Sequence, residues 1–128
     1  MLMRRIILDT NFLLVPGQFK VDIFSEIRRI CDFAYKLYIV DRSIDELNKL
    51  ADGKSKDARA AKLGLSLMRA KHVSVIKTAG EGHVDDLIVA AVKKGDIAAT
   101  QDINLKKRVK RKGARIITMR QKKFLILQ

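Results

Sequence analysis

The chain has 128 residues, 48% of them hydrophobic, and a net charge of +13, which fits one globular domain over residues 1–128. No apolar run approaches the roughly 20 residues of a membrane span, and residues 1–9 are too short and too charged for a secretory signal. We therefore expect a cytoplasmic protein without membrane contact. The single cysteine, Cys31, excludes an internal disulfide and is expected to be a small core residue.

The predicted elements alternate between strands and helices. Short apolar runs predict strands at residues 5–8, 37–40, 73–76, 96–100, 115–119 and, as a short edge strand, 124–127. Helical segments are predicted at residues 12–19 (short, helical or irregular), 21–34, 41–50, 56–70, 85–94 and 102–112. In the segment 56–70 the residues expected to face inward are Ala60, Leu63, Leu67 and Ala70. This alternation favours a parallel sheet with helices on both faces.

Acidic residues follow several predicted strands. Asp9 comes directly after the first strand, Glu46 lies in the helix after the second, and Asp102 follows the fourth. Asp85 opens a helix after a glycine-containing loop. Because ligands of open parallel sheets bind at the carboxyl ends of strands, we expect these acids to gather at one edge.

Each acid also has a purely structural interpretation. Asp9 and Asp102 precede predicted helices, where aspartate is a good N-cap. Ser43 and Glu46 have the spacing of a capping box, and Asp85 in a first helical turn suits the helix dipole. Capping does not require acids after so many strands, so their coincidence favours a shared site.

Four clustered carboxylates repel one another, and a divalent cation relieves that repulsion. Oxygen ligands favour Mg²⁺ or Mn²⁺ over zinc, and His72 and His83 do not have the spacing of a metal-binding pair. From Gln101 to the C-terminus there are ten basic residues and one acid, which favours a polyanionic partner. Metal-bound carboxylates beside a basic surface indicate phosphodiester hydrolysis.

Four segments together carry a family resemblance. They are residues 8–12 (Leu-Asp-Thr-Asn-Phe), Glu46, residues 84–91 with the doublet Asp85-Asp86, and residues 99–105 with Asp102. In this order the chain resembles the PIN-domain ribonucleases over almost its whole length. Within that family it is most similar to the small-subunit rRNA-processing PIN nucleases and their archaeal relatives, with VapC-type toxins as wider kin.

The resemblance implies a three-layer α/β/α fold with a central five-stranded parallel sheet. It implies Mg²⁺- or Mn²⁺-dependent endonucleolytic cutting of RNA, often by a homodimer. In this reading Asp9, Asp85 and Asp102 hold the metal, and Glu46 orients or deprotonates the attacking water. The supporting positions are Thr10, Asn11, Asp86, Thr100 and Asn104. Asn104 stands where many members carry another acid.

Three functions remain open from the sequence. The first is an RNA-processing nuclease. If its substrate is rRNA, a ribosome-assembly partner is also expected. The second is a VapC-type toxin ribonuclease controlled by an antitoxin, and the third is a non-catalytic RNA-binding PIN module. The residues expected to contact RNA phosphates lie in the basic segment 102–112, namely Lys106, Lys107, Arg108, Lys110, Arg111 and Lys112.

Overall fold

A computed structural model describes residues 3–128. Its strands are β1 (Arg4–Leu8), β2 (Tyr35–Val40), β3 (Ser74–Ile76), β4 (Ile97–Ala99), β5 (Arg115–Arg120) and β6 (Phe124–Leu127). Its helices are a 3₁₀ helix (Thr10–Leu14), α1 (Val15–Phe19), α2 (Ile23–Ile30), α3 (Asp41–Ala51), α4 (Lys56–Ala70), α5 (Val84–Ala91) and α6 (Ile103–Arg111). None of the helices in the described range 3–128 is long and apolar enough to cross a membrane.

The six strands form one sheet in the order β3-β2-β1-β4-β5-β6. The first five are parallel, and β6 pairs with β5 in the antiparallel direction. The predicted α/β fold with five parallel strands is therefore confirmed, and the predicted edge strand adds a sixth. From β1 the chain moves outward to β2 and β3 and then returns to β4 on the other side of β1. The strand order thus reverses between β1 and β4, which is where ligands of such sheets bind.

Alternating side chains of the strands bury both faces of the sheet. Ile6 and Leu8 of β1 pack in the core beneath α1, α2 and α4, where Cys31 is also buried as predicted. Ile7 points to the opposite face and packs in the core beneath α5 and α6. Helices on both faces give the three-layer α/β/α arrangement, and they leave the strand ends free to carry polar residues.

Two helices end earlier than their apolar spacing predicts. α2 ends at Ile30 because Cys31 is extended and the chain turns toward β2, where the Ala34 carbonyl accepts a hydrogen bond from Arg4 N at 3.0 Å. α5 ends at Ala91 because the chain becomes extended at Val92, and Gly95, at φ +90°, makes the turn into β4. In both places the connection to the next strand overrides the helical pattern.

α4 packs closely against the 3₁₀ helix. The expected inward positions of Leu63 and Ala70 are wrong, because both are exposed, Leu63 by 42%. The buried face instead includes Ala61 and Gly64, and a Cβ atom added at Gly64 would lie 2.5 Å from the Leu13 carbonyl oxygen. The absence of a side chain there lets α4 fix the helix that begins with Thr10.

Gly64→Ala is expected to lower the free energy of unfolding by about 1–3 kcal/mol, because the new methyl group forces the two helices apart. This loss should exceed the gain of about 1 kcal/mol in helix propensity. Urea unfolding measures the difference. Gly53→Ala is the control, since its Cβ atom would meet nothing nearer than 3.6 Å. A Gly64→Ala protein as stable as the wild type would contradict the close packing.

Candidate active site

The reversal of strand order brings two acidic turns together. Leu8 and Ala99 are paired across β1 and β4, and Asp9 N donates a hydrogen bond to the Ala99 carbonyl at 2.9 Å. Asp9 and Thr100 are therefore the first residues beyond the paired strands. This register places the Asp9 turn beside the turn that carries Asp102.

Thr100 connects the two turns. Its side chain is fully buried, and its hydroxyl donates to Asp9 Oδ2 at 2.8 Å while accepting a hydrogen bond from Asp102 N at 3.0 Å. Asp102 Oδ1 in turn accepts from Leu105 N at 2.9 Å, which confirms the prediction that Asp102 caps α6. Capping occupies one carboxylate oxygen and is compatible with a second role for the other.

The capping interpretation is wrong for Asp9 and for Ser43 with Glu46. Asp9 precedes the 3₁₀ helix, yet within the described chain its carboxylate caps none of that helix's amides. Ser43 lies inside α3, which begins at Asp41, and is completely buried. These side chains are therefore available for contacts at the sheet edge.

Thr10 joins the 3₁₀ helix to α3. Its hydroxyl oxygen lies 2.7 Å from Ser43 Oγ and 2.8 Å from Glu46 Oε1. A hydroxyl has one proton and a carboxylate only accepts, so Thr10 donates to Glu46 and accepts from Ser43. This chain of hydrogen bonds holds Glu46 toward Asp9.

All four predicted acids line one cleft of about 280 Å³ at the carboxyl edge of the sheet. The lining residues are Asp9, Thr10, Asn11, Glu46, His83, Val84, Asp85 and Asp102. Within residues 3–128, no lysine or arginine belongs to this lining. The cleft therefore concentrates negative charge in a protein that is strongly basic overall.

The cleft raises the pKa of two of its acids. Burial raises the pKa of Asp9 to about 6, with Asp85 and Asp102 adding repulsion, although the hydrogen bond from Thr100 opposes the shift. Burial also raises the pKa of Asp85, and the charge of Asp102 contributes to that shift. A bound cation would favour the ionised form of both groups.

The donor atoms of the cleft suit a hard divalent ion. Carboxylate, hydroxyl and amide oxygens are the ligands of Mg²⁺ and Mn²⁺. In the described part of the chain, however, no three acidic, histidine or cysteine side chains already converge closely enough to hold one ion. Coordination by three carboxylates therefore requires their side chains to rotate toward a common point.

Asp86 and Asn104, unlike the other predicted supporting residues, neither line this cleft nor form a hydrogen bond with one of its acids within residues 3–128. Asp86 is exposed, and its Oδ1 atom lies 2.8 Å from Arg108 Nη1 in an ion pair. Neighbouring residues of a helix point about 100° apart, so Asp86 cannot face the cleft while Asp85 does. Asn104 is exposed in the first turn of α6. The expectation that these two residues support the acids is not met.

The basic residues of α6 are only partly available for a ligand. Arg108 is paired with Asp86, and Lys112 Nζ donates to the Val89 carbonyl. Burial, and after it the charges of Arg120 and Lys110, lower the pKa of Lys106. Arg120 ends β5 and was not among the residues predicted to contact RNA.

Sequence reasoning also missed three residues at this edge. Ser43 acts through Thr10, and His83 lines the cleft although it lacks a metal-binding spacing. Gln101 accepts a hydrogen bond from Thr118 Oγ1 at 2.6 Å and donates to the Met119 carbonyl at 3.2 Å, which ties the end of β4 to β5. The signal for Ser43 was its position one helical turn before Glu46; for Gln101 there was none.

Comparison with known proteins identifies a family. Residues 6–122 match the family model described as "PIN like domain". Ribonuclease VapC9 of Archaeoglobus fulgidus is 30% identical over 124 residues, covering 95% of this chain and 87% of the relative. Ribonuclease VapC4 of Methanocaldococcus jannaschii is 27% identical over 127 residues, covering 95% of each. The solved structure of the PIN domain endonuclease Utp24 superposes with a TM-score of 0.78 at 24% identity, over 97% of this chain and 90% of that one.

Asp9→Asn is expected to change how stability depends on pH in the metal-free protein. The pKa of Asp9 is about 6 in the folded state and near 3.9 in the unfolded chain. Its stabilising contribution is therefore complete below pH 4 and is lost as pH rises through 6. The variant should match the wild type at pH 4 and exceed its unfolding free energy by about 3 kcal/mol at pH 7.

The measurement is urea unfolding of both proteins in EDTA from pH 4 to pH 7. Comparing the two proteins cancels groups whose pKa values shift the other way, such as Asp22 and Asp41. A difference in unfolding free energy that stays constant from pH 4 to pH 7 would show that burial and the acidic neighbours do not raise the pKa of Asp9.

Proposed function

Since this chain belongs to the PIN-like domain family, we propose that it is a Mg²⁺- or Mn²⁺-dependent endoribonuclease that hydrolyses RNA phosphodiester bonds. The observation that carries this proposal is the single cleft lined by Asp9, Glu46, Asp85 and Asp102. Two relatives that cover nearly the whole chain are ribonucleases by name. Oxygen ligands line the cleft without a lysine or arginine from residues 3–128, and Arg108, which lies outside the lining and whose charge partly offsets the raised pKa of Asp85, is paired with Asp86. This lining supports metal-assisted rather than arginine-assisted chemistry.

The four acids would have different roles in the reaction. Asp9, Asp85 and Asp102 would hold the divalent ion, and Thr100 keeps Asp9 and the Asp102 turn in register. When bound, the ion supplies a more acidic water and offsets the charge of the phosphate. Thr10 and Thr100 fix the carboxylates by hydrogen bonds, as partners of metal ligands commonly do.

Glu46 would act on the attacking water. Its Oε1 atom accepts the Thr10 proton, which holds the carboxylate at the mouth of the cleft and leaves Oε2 free of that bond. Glu46 is thus positioned to orient the water and to accept its proton as it attacks the phosphorus. Asn11 lines the same cleft and offers an amide to the phosphate oxygens.

RNA binding outside the cleft would rest on phosphate contacts. Lys106, Lys107, Lys110 and Arg111 belong to α6, whose N-cap is Asp102, so they are close to the cleft along the chain. Arg108 shares its charge with Asp86 and is the weaker candidate. With 5% aromatic residues, the chain has few side chains for base stacking, so phosphate contacts should supply most of the affinity.

A second candidate role differs in regulation rather than chemistry. The two VapC relatives favour a toxin ribonuclease that is inhibited by an antitoxin. The other candidate role is that of a housekeeping nuclease in RNA processing. In one version of this role the substrate is rRNA and the protein binds a ribosome-assembly partner. A small antitoxin reading frame beside the gene, with co-purification of its product, would decide for the toxin. In either role a homodimer is expected, and sedimentation of the purified chain tests it.

The wild-type protein is expected to cleave single-stranded or looped RNA in Mg²⁺ or Mn²⁺ and to lose this activity in excess EDTA. Asp102→Asn should reduce cleavage at least 100-fold, on the order of the loss of one transition-state contact. Because asparagine caps a helix about as well as aspartate, this variant should melt no lower than the wild type. Gel assays on a panel of labelled RNAs and thermal melts measure both effects.

Asp32→Asn is the matched control, since Asp32 is an exposed acid that precedes β2 and lies at the amino edge of the sheet. It should cleave RNA like the wild type. Full activity in excess EDTA, or an Asp102→Asn protein that cleaves normally, would refute the metal-dependent mechanism.

A further inference from the structure

A second groove opens from the acidic cleft along α3. It has a volume of about 630 Å³ and shares Thr10, Asn11 and Glu46 with the cleft. It then continues past Arg42, Lys49 and Leu50 of α3. A groove of this size accommodates a ligand of nucleotide dimensions, and its shared residues make it continuous with the place where the proposed reaction occurs.

The groove lies on the opposite side of Asp9 from α6. α3 follows β2 and α6 follows β4, and these two strands flank β1 in the sheet. The core contacts agree, since Leu47 of α3 packs on one face of the sheet and Leu105 of α6 on the other. A strand of RNA that contacts α6 on one side of the cleft and then crosses it would reach α3 on the other side.

Arg42 has unused hydrogen-bonding capacity in this groove. Its Nη1 atom donates to the Gly80 carbonyl at 2.9 Å, which anchors the guanidinium. Its Nε atom is buried and has no hydrogen-bond partner in the described residues. Asp45 of the same groove forms an ion pair with Nε at 3.8 Å, which is too long for a hydrogen bond. The Arg42 side chain is 38% exposed and lines the groove, so its guanidinium can donate to an anionic oxygen there.

Lys49 and Leu50 extend the same surface. Lys49 is two helical turns after Arg42, so the two cations share one face of α3 about 10 Å apart along the helix axis. Lys49 is exposed and makes no ion pair within residues 3–128. Leu50 is 37% exposed and offers an apolar contact for a base.

We propose that this groove binds the RNA strand on one side of the scissile phosphate. Arg42 and Lys49 contact successive parts of the sugar–phosphate backbone, and Leu50 contacts a base. The groove lining contains two cations, Arg42 and Lys49, and two acids, Asp45 and Glu46. Its continuity with the acidic cleft, where the proposed ribonuclease reaction occurs, identifies RNA as the occupant. This inference rests on the proposed ribonuclease function, and it adds a second group of cationic contacts to those of α6.

The test measures cleavage kinetics of one single-stranded RNA in Mn²⁺ at several salt concentrations. In Arg42→Gln/Lys49→Gln, KM should rise at least tenfold while kcat stays within twofold, because the variant removes binding and leaves the acids intact. The slope of log(1/KM) against log salt should become shallower by about 1.4, since each lost phosphate contact on single-stranded RNA contributes roughly 0.7.

Two further variants separate the possible outcomes. Lys49→Gln alone, which breaks no hydrogen bond within residues 3–128, should reduce the slope by about 0.7. Lys62→Gln, an exposed lysine of α4 that lines neither groove, should leave KM and the slope unchanged. Thermal melts of Lys49→Gln and Lys62→Gln should agree with the wild type.

If the wild type cleaves RNA but the double variant behaves like Lys62→Gln, the groove does not bind RNA and the proposed nuclease stands. A fall in kcat without a change in KM would mean that Arg42 only positions the loop around Gly80, which also overturns the proposal. A wild type that cleaves no RNA in Mg²⁺ or Mn²⁺ would overturn the proposed function and this inference with it.

Discussion

Parallel pairing of β1 with β4 is the constraint on which the rest of the site depends. It aligns Leu8 with Ala99 and so places Asp9 and Thr100 side by side at the reversal of strand order. A buried hydrogen bond from Thr100 Oγ1 to Asp9 Oδ2, 2.8 Å long, then ties the two turns together. α3, α5 and α6 bring the other acids to that edge, so the arrangement of charge follows directly from the topology.

The two ends of this strand pair treat buried acids differently. At the amino end, Asp96 is 7% exposed and is neutralised by Arg5, whose Nη2 atom lies 2.6 Å away. At the carboxyl end, Asp9 is 6% exposed, yet it forms no ion pair within residues 3–128 and lines a cleft with three other acids. At the amino end of the strand pair, the buried carboxylate is structural and has a cationic partner. At the carboxyl end, several carboxylates share one cleft whose lining, within residues 3–128, contains no lysine or arginine. Local rules of stability are commonly violated in this way at functional sites.

The sequence was sufficient to predict the alternating α/β elements, the parallel sheet and the four acids of the cleft, because strand ends and helix starts have local signals. It was insufficient where tertiary contacts decide. Leu63 has the spacing of a core residue, but the close approach of Gly64 to Leu13 turns α4 so that Leu63 is exposed. Ser43 and Glu46 have the spacing of a capping box, but α3 begins earlier and both contact Thr10. Asp86 was predicted to support the acids because it follows Asp85 in the sequence, but the helix directs its side chain to Arg108.

The central claim is that the acids at the β1–β4 edge form one divalent metal site. Titration calorimetry with Mn²⁺ on the wild type, Asp85→Asn and Asp86→Asn tests it most directly, because these adjacent residues carry the same charge and only Asp85 lines the cleft. We predict that Asp85→Asn weakens Mn²⁺ binding by at least about tenfold and that Asp86→Asn binds within twofold of the wild type. Equal Mn²⁺ affinity in the wild type and Asp85→Asn would contradict the account.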